Sequence, residues 1–306
     1  MHGRIHPEKV SKHVSFDQFT IGAFAFSLRL RNAVKPPRDP AELFHRLIGR
    51  ALRQTSPSIG RWLYHPPRPD DWEATHKTPA KPFLIIPPAA PKDIWRKNEQ
   101  IHLGITLFGN ARQHINVIYA ALETLGNGSG LLGNKQGRFH IDRLEQLTLT
   151  EPKTLFANNS WITEPDCVTA ADIITNAPAA DAVTLELLTP MQIRKNGELI
   201  TNAPPLTALI ERIIGRANTL STLYCGGLLT PPHEKTALAA LARTTTIKAD
   251  HTRPLRPGSK LGGITGNFRY RPIAPALIPW LALGQWIGVG GKTSYGLGMY
   301  SLETEK

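Results

Sequence analysis

Residues 46–51 read RLIGRA and residues 212–217 read RIIGRA, so almost the same six residues recur at an offset of 212 − 46 = 166. Each copy lies in an amphipathic helix. The first, AELFHRLIGRALRQTS, is opened by Asp39 or Pro40 and carries Phe44, Leu47, Ile48 and Ala51 as its buried stripe. That spacing leaves His45, Arg46, Arg50 and Arg53 on or beside the exposed face. The second helix is LTALIERIIGRANTL, residues 206–220. An alternating strand and a loop precede each helix. They are residues 20–30 (TIGAFAFSLRL) with a loop over 32–40, and residues 183–193 (VTLELLTPMQI) with a loop over 194–205.

The repetition extends further along the chain. Residues 101–108 (IHLGITLF) predict a strand, residues 113–125 an amphipathic helix, and GNGSGLLGNKQGRF a glycine-rich loop that enters another strand. Their counterparts are a strand over 265–270, a shorter helix over 274–283, and a terminal glycine-rich loop and strand. Phe139 corresponds to Tyr300 at the end of each loop. The chain therefore reads as an α+β protein, two copies of a β-α-β-β-α-β plan. The boundaries expected are a polar N-terminal arm over 1–18, a first unit over 19–150, a connection over 151–181 and a second unit over 182–306. In the arm, His2, His6 and His13 read as solvated rather than metal-binding.

The terminal stretch, residues 284–302, reads GQWIGVGGKTSYGLGMYSL. Gly290 and Gly291 precede one cation, Lys292, and two hydroxyls, Thr293 and Ser294. Glycines at this density bring bare backbone N–H groups close to a ligand, as a phosphate cradle requires. A nucleotidase phosphate loop is excluded, because G-x-x-x-x-G-K-[ST] needs glycine where this chain has Trp286.

Lys and Arg number 36 against 24 Asp and Glu in 306 residues, a net charge of +12 with a sequence pI near 9.9. A polyanionic partner is the expectation. Cys167 and Cys225 lie far apart with no metal-ligand spacing, so neither a zinc site nor a disulfide framework is indicated, no cofactor is expected, and a reducing cytoplasm fits. No apolar run approaches the ~18 residues of a spanning helix, and the N-terminus lacks the apolar core of a signal peptide.

Several motifs resemble the CRISPR precursor-RNA processing endoribonucleases of the RAMP superfamily. In the first half they are LFHRLIGRALRQTS with WLYHPP, KPFLIIPP, ITLFGNA and GNGSGLLGNKQGRF. In the second they are LLTPMQIRKNGEL, GGITGNFRYR and the terminal LGQWIGVGGKTSYGLGMYSL, which is the most specific. The resemblance implies two tandem ferredoxin-like domains that bind CRISPR repeat RNA and cut it once per repeat without a metal ion. In that chemistry a base deprotonates the ribose 2′-OH and cations stabilise the phosphorane, giving a 2′,3′-cyclic phosphate and a 5′-OH.

The family's histidine after the first helix matches His65, with Tyr64 as a helper and His45 as the second candidate. Some relatives carry a tyrosine on the first helix where this chain has Gly49, and a lysine after the histidine where it has Asp70 and Asp71. Arg68, Lys77, Lys81, Arg50 or Arg53 remain as sources of the cation. The expected RNA-binding residues are Arg46, Arg50 and Arg53, then Arg253, Arg256 and Lys260, then Arg269 and Arg271 around Tyr270, and the terminal Gly290, Gly291, Lys292, Thr293 and Ser294. Lys135 and Arg138 extend this basic surface. For Tyr270 both base stacking and core packing remain open. Subunits of a CRISPR effector complex are further expected partners. A catalytically silent guide-RNA-binding RAMP subunit is the alternative reading.

Overall fold

The computed structural model describes residues 12–36, 40–67, 79–88, 93–255 and 260–305. Two antiparallel sheets, each covered on one face by helices, form the chain. The first sheet contains β1 (Thr20–Leu30), β2 (Phe83–Ile86), β3 (Gln100–Phe108), β4 (Phe139–Leu147), β5 (Lys153–Ala157), β6 (Ser160–Trp161) and β7 (Val168–Thr169). Its order is β2-β3-β1-β4-β5-β6, with β7 pairing β1. Alternation along β1 buries Phe24, Phe26, Leu28 and Leu30 under α1 (Pro40–Thr55) and α3 (Ile115–Asn127), whereas Ser27 and Arg29 fall on the open face. Each fully buried Phe, Leu or Ile of that layer contributes about 1.5–3 kcal/mol.

The second sheet repeats the plan. It contains β8 (Ala182–Met191), β11 (Thr246–Asp250), β12 (Arg253–Leu255), β13 (Gly263–Arg271) and β14 (Tyr300–Glu305), in the order β11-β13-β8-β14 with β12 also on β13. Substituting counterparts, β4-β1-β3-β2 and β14-β8-β13-β11 are the same sequence of strands. Both halves are therefore ferredoxin-like. Helices α5 (Leu206–Tyr224) and α7 (Ile278–Ile287) cover this sheet, the first through Leu209, Ile210, Ile213, Ile214, Ala217 and Leu220.

Some elements differ from the sequence expectation. The stretch ending in WLYHPP contains a short helix α2 (Pro57–Tyr64) that the sequence reading did not assign, started by Pro57 at its first turn. The expected connection over 151–181 carries β5, β6 and β7, which extend the first sheet, and a capped helix α4 (Ala170–Thr175). The loop over 194–205 contains a small hairpin, β9 (Arg194–Lys195) with β10 (Glu198–Leu199), and α6 (Pro232–Ala242) follows α5. In the stretch expected as a polar arm, His13 bridges to Leu228, Val14 is buried and residues 16–18 form a 3-10 turn. His2, His6 and Asp39 lie outside the described residues.

The halves share one apolar core. Phe19, Ile21, Leu84 and Phe108 of the first half pack with Leu220, Tyr224 and Leu229 of the second. The Tyr224 hydroxyl donates to the carbonyl of Ala80, and the Arg216 guanidinium lies 5.8 Å over the Phe108 ring while its Nε donates to Ile287 at 2.6 Å. No described helix is long and apolar enough to cross a membrane.

Candidate active site

His45 is buried, 7% exposed, which corrects its expected place on the open flank of α1. Three other parts of the chain cover that flank. From α2, the Tyr64 ring meets the imidazole edge-on at 5.0 Å, and its hydroxyl donates to the His45 carbonyl at 2.7 Å. From the segment leading into β2, Lys81 Nζ lies 3.1 Å from His45 Nε2. From the terminal glycine loop, the Tyr295 ring stacks on the imidazole with centroids 3.9 Å apart and planes within 8°.

Local sequence explains this convergence. A Cβ on Gly49 would stand 2.6 Å from the Tyr64 ring, so the absence of a side chain one turn beyond His45 makes room for Tyr64. The ring thus occupies space beside the position where some relatives have a helix tyrosine. In the terminal loop, Lys292 adopts φ 58° and starts a 3-10 turn over Thr293–Tyr295, which Gly296 ends at φ 81°. A Cβ on Gly296 would lie 2.2 Å from the Ile85 carbonyl of β2. Glycine here permits both the positive φ and the contact that holds Tyr295 over His45. Gln192 braces the loop and its neighbour together: its carbonyl accepts from Gly291 at 2.7 Å, and its amide donates to Lys260 and Gly262 at 2.9 and 2.6 Å.

The electrostatics follow from burial among cations. Desolvation first, then the charges of Lys81, Lys260 and Lys292, pull the His45 pKa down to about 3. The imidazole is therefore neutral near pH 7. Lys81 is pulled down to about 8 by desolvation and by Lys292 and Lys260. A lysine ammonium has no lone pair, so while Lys81 is charged Nε2 accepts from it and the imidazole proton resides on Nδ1. Lys260 Nζ lies 5.7 Å over the Tyr295 ring and 3.7 Å from Glu42. Among the described residues no group of three His, Cys, Asp or Glu is placed to hold a metal ion.

Residues 185–300 match the family model described as CRISPR-associated endoribonuclease Cas6, and residues 19–167 match one described as an N-terminal domain, AF_1859_N. Over the second half, the chain is thus similar to the Cas6 endoribonuclease family. Thermus thermophilus Cas6 (TTHB231) superposes with a TM-score of 0.59 at 19% identity, over 93% of this chain and 99% of that one. A Cas6 (TTHB231) product complex gives 0.62 at 20%, with the same coverage. A structure described as a RAMP protein binding different RNA substrates gives 0.51 at 14%, over 92% of this chain and 99% of that one. At these identities the likeness is one of fold. No curated protein matches the chain in sequence.

The other expected residues are distributed as follows. His65 caps the C-terminus of α2 with its side chain exposed, and among the described residues no hydrogen bond, ion pair or ring contact joins its imidazole to the His45 cluster. The Tyr64 hydroxyl, committed to the His45 carbonyl, is held protonated by burial, its pKa far above the usual phenol range. Arg46, Arg50 and Arg53 are exposed along α1, and Lys292 is exposed beside the buried Thr293 and half-buried Ser294. Arg253 pairs with Thr265 near the site end of β13. Arg269 and Arg271 lie towards the opposite end of that strand, roughly 14 and 20 Å from Thr265 at ~3.4 Å per residue. There Arg269 pairs with Glu305. Tyr270 is core, fully buried with its hydroxyl bonded to Pro204. Arg256, Arg68, Lys77, Asp70 and Asp71 lie outside the described residues. Tyr295 escaped the sequence reading, where its signal was an aromatic between the Lys292 turn and Gly296.

Gly296→Ala is expected to lower unfolding free energy by at least about 1 kcal/mol, because alanine fits neither the φ nor the space. Denaturant melts check this. Wild-type stability would show that the loop can leave β2 at no cost.

Proposed function

We propose that the chain cuts CRISPR repeat RNA within precursor transcripts, independently of metal, by attack of a ribose 2′-OH on the adjacent phosphorus, with His45 as general base. The observation that carries this reading is the neutral, desolvated imidazole of His45, held between Tyr295 and Lys81 and faced by Lys260 and Lys292. As the RNA phosphate draws the Lys81 ammonium away from His45 Nε2, that nitrogen takes the 2′-OH proton. The O2′–P bond forms as the P–O5′ bond breaks, and the leaving 5′ oxygen takes a proton from the Lys81 ammonium. The products are a 2′,3′-cyclic phosphate and a 5′-OH. Lys260 and Lys292 oppose the charge that accumulates on the phosphorane. Proton transfer to a positioned base contributes roughly 10²- to 10⁴-fold, and one well-aimed donor to the developing charge roughly 10²- to 10³-fold.

A pKa of about 3 makes the free imidazole a weak base, and its cause supplies the remedy. Three lysines repel the imidazolium. An RNA phosphate seated among them offsets that repulsion, so substrate binding itself strengthens the base. Lys81, at about 8, has the acidity suited to protonating a leaving oxygen near neutral pH.

His45 is preferred to His65 because Lys81, Tyr295 and the terminal loop converge on it, whereas the His65 ring is exposed and apart. Tyr64 and Tyr295 are then positioning residues. Arg46, Arg50, Arg53, Arg253, Lys260 and Lys292 supply a basic surface for the RNA backbone, and Lys135 and Arg138 extend it.

In single-turnover reactions containing EDTA, cognate repeat RNA is expected to be cut while a copy with 2′-deoxyribose at the cleavage position stays intact. Loss of cleavage in EDTA, or cutting of the deoxy substrate, would contradict the mechanism. Lys81 acts as its ammonium form, so the second-order cleavage rate at sub-saturating protein, which reports ionisation of the free protein, is expected to fall as pH rises through about 8. Lys81→Arg, whose guanidinium stays protonated, should move that alkaline limb beyond the measurable range. A limb that stays near pH 8 in the variant would assign it to another group.

A further inference from the structure

The internal repeat gives the first half a glycine loop of its own, and that loop forms a groove on the other side of α1. At 100° per residue, Leu43, Arg46, Leu47 and Arg50 lie between 100° and 200° around the helix from His45. They line a groove of about 360 Å³ whose far wall is Ser129, Gly130, Leu131, Leu132 and Gly133. A second hollow of about 190 Å³ continues past Arg50 to Gln54, Thr124 and Gly128. No carboxylate lines either hollow, and among the described residues Arg46 and Arg50 make no ion pair.

The far wall is fixed in shape. Gly130 donates to Leu125 at 3.0 Å, Leu131 to Gly137 at 3.2 Å, and Lys135 to Ser129 at 3.0 Å. Asn32 spans the loop base, donating to the Lys135 carbonyl at 3.2 Å and accepting from Arg138 N–H at 2.8 Å. Lys135 adopts φ 64°, close to the 58° of Lys292 in the terminal loop. Both loops thus turn on a left-handed lysine beside α1, one on the His45 side and one on the Arg50 side.

We propose that the groove between α1 and the first glycine loop is a second RNA subsite, holding one nucleotide away from the scissile phosphate. Its phosphate lies between the Arg46 and Arg50 guanidiniums and its base on Leu43, Leu47 and Leu132. Two guanidiniums with no ion pair among the described residues suit one phosphate, and a leucine floor suits the flat face of any base, so this subsite contributes affinity without selecting sequence. Between groove and His45, the exposed strip of α1 carries Arg46, Arg53 and Glu42, whose carboxylate faces Lys260. A single strand crossing that strip passes from subsite to active site over one helix diameter, about 10–12 Å.

The inference rests on the RNA-cleaving reading, and one set of titrations separates the two. Binding of repeat RNA is measured by fluorescence anisotropy over a series of salt concentrations for wild type, Arg46→Ala/Arg50→Ala and Leu132→Asp, with wild-type cleavage followed on the same RNA. The double variant should bind about tenfold or more weakly. Its plot of log affinity against log salt should be shallower by about 0.7, the release expected for one phosphate on a single strand. Leu132→Asp, which sets a carboxylate at a 42%-exposed position of the rim, should also bind more weakly. Wild-type affinity and slope in the double variant overturn the subsite. Loss in the double variant with wild-type binding by Leu132→Asp overturns the groove, leaving the arginines as surface contacts. Wild type that binds with the expected slope but cuts nothing overturns the nuclease reading instead.

Discussion

The contact between the terminal glycine loop and the first helix is the constraint on which the site depends. Gly296 lies against the β2 backbone, and the neighbouring Tyr295 is thereby laid flat on His45. Without that contact the imidazole face that Tyr295 covers would be open, with Tyr64 and Lys81 still against the ring. With it, the imidazole is further enclosed, and Lys292 joins Lys81 and Lys260 around it from segments remote in sequence. The duplicated fold makes this possible: the second half ends in a loop that reaches across to the first, while the shared core through Phe108 and Tyr224 fixes the two halves to each other.

Burial and charge act together on the pair at the centre. Desolvation alone would depress both His45 and Lys81, and the other lysines depress them further. The free protein therefore holds a cluster of like charges, partly offset by Glu42 at Lys260, that a bound polyanion would relieve further. In the proposed mechanism that coupling ties substrate binding to the basicity of His45, because the lysines assigned to phosphate also repel the imidazolium.

Much of the fold was legible because its long elements carry strong periodicity. β1 and β3 alternate, α1 and α5 repeat a helical stripe, and the RLIGRA and RIIGRA segments tie the copies together. What escaped were elements with little apolar pattern: β11 and β12, mostly exposed, and the short α2, hidden among prolines. The site was legible in its parts, since the terminal loop, Lys81 and His45 were all singled out. Their arrangement was not. Helical spacing put His45 beside the exposed face because the rings that bury it, Tyr64 and Tyr295, come from outside its helix. The same limit applied to Tyr270, whose alternation with Arg269 and Arg271 could not say which face of β13 met the core.

The most direct measurement is the single-turnover rate of repeat-RNA cleavage by His45→Ala and His65→Ala, each beside wild type at saturating protein. The account predicts a loss of roughly 10²- to 10⁴-fold for His45→Ala and a near-wild-type rate for His65→Ala. The reverse pattern would put the base on the exposed cap of α2 and contradict a site built by the docking of the terminal loop on α1.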